Sequence, residues 1–409
     1  MMLLPNIVIT SLLLLLFSIT GGEGITITVS EKGNHIQDSG DLILEDKSSS
    51  SCCSTGSCIC HSFLQALIDL TSNVMVNITT DVVLSSIVPV AGIENIVIIG
   101  HNNPTINCNA TGGMRFISSR NITIYGITWE SCGSESSFYS WNSYPALEIS
   151  NSSKVVVEYC TFQNSLGQAL VFRDAMNDVE ITHCNFSQNN YQDNGAVLHY
   201  SSQTNECIGH YLLIDNCNFM HNGRAESVIF LEGYACDSSA PVIIQNSKFI
   251  GNQGLPIYVT HHTVVITGNI LIKDNNGGGI YTDHSSVEFA ENSQVTFNNN
   301  TADGSGGAIH SSNYSTVLFK MASIIIFTEN SATYFGGGGA IYSKSYSNIS
   351  FQANCSVVFA ENVAGDNGGA IFSADYSSIA FDKYSNVTFR KSCHFGRSFV
   401  LKWKFYGDI

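Results

Sequence analysis

Basic side chains are scarce in this sequence. The 409 residues include 17 Lys and Arg against 33 Asp and Glu, a formal charge of −16, and only 12% of the residues are charged. The acidity reflects this shortage of Lys and Arg rather than runs of Asp and Glu, which indicates solubility more than a basic partner. No basic patch is present, so we expect no nucleic acid among the partners.

Catalytic and cofactor motifs are missing as well. The sequence has no phosphate-binding loop and no nucleophile–His–acid set, and the pair His261-His262 and the single His310 are isolated. Enzyme chemistry needs titratable groups gathered at one place. We therefore predict no catalytic residue, no metal ligand and no cofactor.

A repeat fills the second half of the chain instead. Gly-Gly-Ala-Ile begins at Gly306, Gly338 and Gly368, and Gly-Gly-Gly-Ile begins at Gly277, so the steps are 29, 32 and 30 residues. A fixed period in this range indicates a repeat architecture, because one repeat cannot bury its apolar face alone.

Each repeat reads as three short strands. In the repeat from Ala340 to Ala360, the segments Ala-Ile-Tyr-Ser, Asn-Ile-Ser-Phe and Val-Val-Phe-Ala alternate apolar with small or polar residues. A period of two is typical of half-buried strands. The turns are too short for crossover helices, so the sequence predicts an all-β fold, a single-stranded parallel β-helix solenoid with three short strands per coil.

A second signature, Phe-x-x-Asn, carries the same period through most of the chain. The Phe side chains are predicted to point inward and stack between coils, each burying roughly 1.5–3 kcal/mol worth of apolar surface. The Asn residues are predicted to lie at a turn, because Asn tolerates left-handed backbone, and to form a ladder of amide hydrogen bonds. The predicted Phe column comprises Phe162, Phe186, Phe219, Phe249, Phe297, Phe327, Phe359 and Phe389, and the predicted Asn ladder comprises Asn189, Asn222, Asn252, Asn275, Asn300, Asn330 and Asn362.

The alternation of these two signatures between about Gly277 and Phe389 resembles the repeats of the bacterial polymorphic outer-membrane proteins. It is also similar to the repeats of secreted animal β-helix proteins. The resemblance implies a right-handed parallel β-helix of the pectin-lyase-like kind with a role in adhesion.

Enzymes of the pectin-lyase-like fold are the alternative. Polygalacturonases show Asn-Thr-Asp, Asp-Asp, Gly-His-Gly and Arg-Ile-Lys motifs, and none of these occurs here. Carboxylates converging on one face of adjacent coils would favour a polysaccharide lyase or glycoside hydrolase, whereas an even, polar face rich in Tyr and Asn would favour binding. We expect a secreted or cell-surface scaffold that binds extracellular glycans or surface proteins and does not catalyse a reaction.

Composition divides the chain into five segments. An apolar run from Ile7 to Thr20, followed by small residues, predicts a secretory signal peptide, with an uncleaved anchor as the alternative. No membrane span is expected in the mature chain. Ser62 can N-cap a helix whose apolar residues share one face and cover the open end of the solenoid. The predicted segments are a signal peptide (1–24), a Ser- and Cys-rich flexible segment (25–60), a capping helix (61–73), the β-helix (74–395) and a C-terminal tail or truncated end (396–409).

An extracellular location would favour disulfides and N-glycans. The thirteen Cys are an odd number, so at least one is free or pairs between chains. Three of them, two residues before an inward Phe, are expected to form a buried thiol column rather than disulfides: Cys160, Cys184 and Cys217. Loop residues Cys207 and Cys236 are better disulfide candidates, and the cluster of Cys52, Cys53, Cys58 and Cys60 is expected to form disulfides, with zinc binding as the alternative. The candidate glycosylation sites are Asn77, Asn121, Asn185, Asn348 and Asn386.

Overall fold

A computed structural model shows one long stack of β-coils. It describes residues 73–394, apart from 85, 111, 134–144, 175, 191–195, 202–210, 224–225, 234–240 and 334–335, together with residues 25–29, 57–60, 397–399 and 402–404. No helix occurs in this part of the chain, and so none that could cross a membrane. The predicted capping helix and signal peptide lie outside the described residues.

Three long sheets and one short sheet form the walls of the solenoid. In the first sheet the spatial order begins β2, β1, β3, and the remaining strands follow in the order of the sequence. Its members are β1 (Ile25–Val29), β2 (Ser57–Cys60), β3 (Val74–Ile78), β6 (Glu94–Gly100), β9 (Arg120–Tyr125), β12 (Ser153–Glu158), β15 (Asn177–Thr182), β18 (Leu212–Asp215), β21 (Val242–Gln245), β24 (Thr263–Thr267), β27 (Ser286–Phe289), β31 (Thr316–Phe319), β35 (Asn348–Phe351) and β39 (Ser378–Phe381).

The second sheet follows the first within each coil. Its members are β4 (Val82–Val83), β7 (Thr105–Asn107), β10 (Thr128–Glu130), β13 (Thr161–Gln163), β16 (Asn185–Ser187), β19 (Asn218–Met220), β22 (Lys248–Ile250), β25 (Asn269–Lys273), β28 (Gln294–Asn298), β32 (Ile324–Thr328), β36 (Ser356–Ala360), β40 (Asn386–Arg390) and β43 (Lys402–Lys404).

The third sheet completes each coil, and a short fourth sheet joins it to the second sheet in the last coils. The third sheet contains β5 (Ile87–Ala91), β8 (Gly113–Ile117), β11 (Leu147–Ser150), β14 (Leu170–Arg173), β17 (Ala196–Ser201), β20 (Ser227–Glu232), β23 (Leu255–Thr260), β26 (Ile280–Asp283), β30 (Ile309–Ser312), β34 (Ile341–Ser343) and β38 (Ile371–Ser373). The fourth contains β29 (Thr301–Ala302), β33 (Ser331–Ala332), β37 (Val363–Ala364), β41 (Ser392–His394) and β42 (Arg397–Phe399).

The predicted fold class is confirmed: this is a right-handed parallel β-helix with three main strands per coil. From β1 to β41, each strand pairs in parallel with its equivalent one coil away, as Phe327 of β32 does with Phe359 of β36. Side chains alternate between the interior and the surface, because successive residues of a strand point to opposite faces. The inward positions form one continuous apolar core along the whole stack.

The structure places the eight Phe of the predicted column at equivalent positions of the second sheet. Phe162, Phe186, Phe219 and Phe249 stack face to face, with ring centroids 4.6–5.0 Å apart. Ile272 takes the position in the next coil, and four further rings continue the column at 4.8–5.0 Å: Phe297, Phe327, Phe359 and Phe389. A second internal stack on the first sheet, which the period did not single out, consists of Phe289, Phe319, Phe351 and Phe381.

The seven Asn of the predicted ladder are buried and share hydrogen bonds from coil to coil. Asn300, for example, donates from Nδ2 to Oδ1 of Asn330 at 2.9 Å and to the carbonyl oxygen of Ile272 at 2.9 Å. The expected reason for Asn was wrong in one respect. The left-handed residue of the turn is the one before the Asn, such as Glu329 (φ 58°) or Glu361 (φ 56°). Asn is therefore required for its amide rather than for its backbone.

Cysteines contribute to the interior in two ways. Cys160, Cys184 and Cys217 are free and buried, and each Sγ lies within hydrogen-bonding distance of backbone carbonyls. Burial first, then the neighbouring thiols, raises the pKa of Cys184 and keeps it protonated. Cys108 and Cys132, which the sequence did not single out, form a disulfide between adjacent coils. Of the other disulfide candidates, Cys58 and Cys60 lie in β2, and the remaining four lie outside the described residues: Cys207, Cys236, Cys52 and Cys53.

The ends of the stack differ from its middle. At the start, the strand Ile25–Val29 pairs with Val74–Ile78, so the first sheet includes residues upstream of the predicted boundary at Val74. Its Ile-Thr-Ile-Thr-Val sequence alternates as a half-buried strand does. At the other end, the strands Arg397–Phe399 and Lys402–Lys404 pair antiparallel with the preceding chain. The remaining segment boundaries stay predictions.

Candidate functional site

A row of aromatic rings covers the outer face of the third sheet. Its members occupy one outward position on seven consecutive strands and are half-buried against one another. Adjacent ring centroids lie 4.7–5.7 Å apart along the whole row. We call this the sheet-3 row; it consists of His199, Phe230, Tyr258, Tyr281, His310, Tyr342 and Phe372.

The repeat itself builds this row. The inward Ile of each Gly-Gly-Ala-Ile motif ends the glycine turn, and the next residue must point outward because side chains alternate along a strand. That next residue is His310, Tyr342 or Phe372, and the equivalent position in the preceding coil is Tyr281. The aromatic residue directly after the motif is therefore the sequence signal that identifies this row.

A second aromatic row runs beside the first, at the corner where the chain passes from the third sheet to the first. Its five rings have left-handed backbone, with φ between 47° and 64°. Such a conformation costs a non-glycine residue roughly 1–2 kcal/mol. The centroids lie 5.0–6.2 Å apart, and Tyr314 and Tyr376 are 67% and 85% exposed. We call this the corner row; it consists of His261, His284, Tyr314, Tyr346 and Tyr376.

Polar side chains lie between the two rows. The residues at this intermediate position in successive coils are Glu232, Thr260, Asp283, Ser312 and Lys344, of which Ser312 is fully buried. Asp283 accepts hydrogen bonds from Asn313 at 2.8 Å and contacts His284 at the same distance. The surface thus offers apolar ring faces and edges on both sides of a column of hydrogen-bonding groups.

The electrostatic character of the sheet-3 row follows from burial and from the acids beside it. Burial, followed by the fields of Tyr281, Asp283 and other acids, raises the pKa of Tyr258 to about 12. Burial, followed by the charge of Lys344, lowers the pKa of His310 to about 4. Within the described residues the Nε2 atom of His310 is buried without a hydrogen-bond partner, which suits the neutral ring. At neutral pH these rings therefore carry no charge.

At one end of the sheet-3 row, a carboxylate forms ion pairs with two arginines. Glu148, two strands before His199 at the same outward position, accepts a hydrogen bond from Nε of Arg115 at 2.8 Å. Its second oxygen lies 3.5 Å from Nε of Arg173. Glu148 is nearly buried, so the two guanidinium groups are engaged in neutralising it rather than free for a ligand.

Carboxylates gather at a different place, on the outer face of the first sheet. Glu158, Glu180 and Asp215 lie on three adjacent strands, each diagonal to the next. Burial, with a further contribution from Glu180, raises the pKa of Glu158, although His183 lies 3.8 Å away and opposes the shift. In the part of the chain that the structure describes, no three His, Cys, Asp or Glu are grouped so as to hold a metal ion.

The candidate glycosylation sites all occupy outward positions. Asn348 and Asn386 are exposed, and Asn77, Asn121 and Asn185 are partly exposed. The amide oxygen of Asn185 accepts a hydrogen bond from Nδ2 of Asn218 at 2.9 Å, so its side chain already belongs to a surface amide pair.

Comparisons with known proteins agree with this architecture. Residues 207–324 match the family model for the right-handed β-helix region. Residues 324–344 and 356–374 match the repeat of the Chlamydia polymorphic membrane proteins, which confirms the resemblance drawn from the motifs. A search of curated proteins finds no match.

Several solved structures are similar to this chain at low sequence identity. A mannuronic acid specific family 6 polysaccharide lyase from the human gut microbiota is 11% identical, with a TM-score of 0.43, over 74% of this chain and 78% of the lyase. The Streptococcus pneumoniae surface protein and adhesin PfbA is 13% identical, with a TM-score of 0.39, over 77% and 91% of the two chains. An exopolygalacturonase from Thermotoga maritima is 10% identical, with a TM-score of 0.38, over 82% and 83%.

Proposed function

We propose that this chain is a secreted or cell-surface scaffold that binds an extended partner along its third sheet and does not catalyse a reaction. The observation that carries the proposal is the sheet-3 row, which runs without interruption over seven strands. Six steps of ~4.8 Å between strands give a contact surface about 29 Å long. A rigid, regular surface of this length suits a linear ligand or an elongated surface protein.

The chemistry of the row supports binding. Aromatic rings supply large apolar contacts with little loss of side-chain entropy, and aromatic residues are enriched where binding energy is concentrated. The hydroxyl groups of Tyr258, Tyr281 and Tyr342 add hydrogen-bonding capacity along the same line. The match to the polymorphic membrane protein repeats also supports binding, because the resemblance to those proteins implies a role in adhesion.

The proposal includes an extracellular location for the protein. The predicted signal peptide (1–24), the candidate glycosylation sites and the disulfide between Cys108 and Cys132 are all consistent with secretion, because disulfides persist mainly in oxidising compartments. Extracellular glycans or surface proteins are then the accessible partners.

We expect the row to be required for binding. Purified protein would be applied to arrays of glycans and of extracellular proteins, and the Tyr281→Ala variant should bind the selected ligand about tenfold more weakly. Tyr384→Ala is the matched control, since Tyr384 is 61% exposed and lies between the first and second sheets. Equal losses in the two variants would contradict the assignment of binding to the third sheet.

A polysaccharide lyase or hydrolase is the second candidate, and one observation favours it. Glu158, Glu180 and Asp215 lie at diagonal positions on adjacent coils, and the raised pKa of Glu158 is a property of a general acid. The test is an assay on pectin, polygalacturonate and other anionic polysaccharides, with and without calcium. Turnover that disappears in the Glu158→Gln variant would establish the enzyme and overturn the binding scaffold.

We also predict N-glycans at the exposed sequons Asn348 and Asn386, and at the partly exposed Asn121. All three occupy outward positions of their strands, where a glycan would extend into solvent. The protein secreted from animal cells should lose mass on glycosidase digestion, and the triple Asn→Gln variant should lose the part of that mass shift due to these three sites. Retention in the cytosol, or an unchanged mass, would contradict both the glycans and the signal peptide.

A further inference from the structure

The charges beside the sheet-3 row indicate which kind of polymer fits it. The ionised groups around the middle of the row are acidic: Glu226, Glu232 and Asp283 all act on Tyr258. In the described part of the chain, the neighbouring Arg and Lys lie toward the ends. Arg173 is one strand before His199 and is paired with Glu148, and Lys344 lies 6.0 Å from the ring centroid of Tyr342.

An anionic polymer would meet repulsion in this middle region. Its carboxylates or sulfates would come next to Glu232 and Asp283, and like charges brought together without a neutralising partner disfavour a complex. The protein as a whole adds to this effect with its formal charge of −16.

An uncharged sugar matches the same surface. A pyranose has apolar C–H faces and a rim of hydroxyl groups, so it can contact ring surfaces while its hydroxyls reach polar groups at the side. The centroids of Tyr258 and Tyr281 are 5.0 Å apart, those of Tyr281 and His310 are 4.7 Å apart, and both pairs are edge to face. Alternating orientations leave parts of ring faces as well as edges along the row. The carboxylate of Asp283, whose side chain is 23% exposed, lies beside these rings as a hydrogen-bonding group.

We propose that the sheet-3 row binds a linear polysaccharide of uncharged sugars, with the sugar chain parallel to the solenoid axis. The inference rests on the proposed binding function and specifies its ligand. Each coil contributes an equivalent contact, so a longer oligosaccharide gains contacts without requiring a new kind of site. Affinity should therefore rise with chain length until the ligand spans the row.

The experiment compares hexasaccharides by calorimetric titration of the full chain. The neutral probes are cellohexaose, chitohexaose and xylohexaose, and the anionic probes are the hexamers of galacturonate and mannuronate. We expect at least one neutral hexamer to bind at least about tenfold more tightly than either anionic hexamer at low salt, where charge repulsion is least screened. The trimer of the best neutral sugar should bind about tenfold more weakly than its hexamer.

Variants separate the ring contribution from the charge contribution. Tyr258→Ala should weaken the neutral hexamer about tenfold, whereas the control Tyr384→Ala should leave it unchanged. The double variant Glu232→Gln/Asp283→Asn keeps the side-chain shapes and should strengthen binding of the anionic hexamers about tenfold, while the neutral hexamer changes by less than about threefold. Thermal unfolding of each variant, compared with the parent protein, checks that the fold is retained.

The contrary results point to different failures. No binding of any neutral hexamer, or binding that is indifferent to Tyr258→Ala, overturns this inference. Tighter binding of an anionic hexamer, or row-dependent binding of a purified surface protein alone, overturns the ligand class while leaving the binding function intact. Cleavage of a hexamer that is lost in Glu158→Gln overturns the binding function itself.

Discussion

Replacing Asn300 with Ala is expected to lower the free energy of unfolding by about 3–5 kcal/mol, because the change leaves several buried polar groups without partners. Asn300 donates from Nδ2 to Ile272 and Asn330, and its Oδ1 accepts from the backbone N–H and the Nδ2 of Asn275. The side chain is fully buried, so water cannot replace these bonds without entering the core.

Equilibrium denaturation in urea measures the loss. The matched control is Asn298→Ala, since Asn298 is the last residue of β28, two residues before Asn300, and points outward. We expect a change below about 0.5 kcal/mol for the control. A similar small effect at Asn300 would show that the amide ladder contributes little to stability.

Replacing Phe359 with Ala is expected to cost about 3–5 kcal/mol, the usual range for emptying a buried aromatic site. The ring is fully buried and stacks on Phe327 and Phe389, with centroid distances of 4.8 Å on both sides. Removal therefore takes away two stacking contacts and leaves a cavity between coils that the flanking rings cannot fill.

Two further variants make the Phe359 result specific. Phe359→Leu should cost only about 1–1.5 kcal/mol, because volume is largely kept and Ile272 already occupies one position of the column. Tyr376→Ala, at an 85% exposed ring of the corner row, should change the stability by less than about 0.5 kcal/mol. Chemical denaturation showing a loss below about 1 kcal/mol for Phe359→Ala would place that ring outside the core.

The sheet-3 row and the acidic face of the first sheet differ in the cost of removing water from them. Tyr258 and His310 of the sheet-3 row are uncharged at neutral pH, so desolvating these two rings on binding costs little. The first sheet carries Glu158, Glu180 and Asp215 on adjacent strands, and desolvating carboxylates is costly unless a cation or a proton neutralises them. This difference is why the third sheet is the better surface for binding an uncharged polymer, and the first sheet the better place to look for catalysis.

Local pattern was enough to predict the coils. The period of about thirty residues, the alternation within strands and the motif Phe-x-x-Asn identify which side chains point inward, because both periods are properties of the backbone. The inward position of Phe359 and the turn position of Asn362 follow from neighbours only a few residues away. The inward and turn positions can therefore be inferred from a short stretch of sequence.

Contacts between residues of neighbouring coils depend on how the coils stack. The Cys108–Cys132 disulfide and the Asn300–Asn330 hydrogen bond join residues 24 and 30 apart, and the spacing between equivalent positions varies with the length of each turn. The sequence by itself determined the fold class, the interior and the residues of the ladder. Only the tertiary structure brought His199 through Phe372 into one row and placed Glu158 and Glu180 on adjacent strands of the first sheet, because contact between coils depends on a register that local periodicity does not contain.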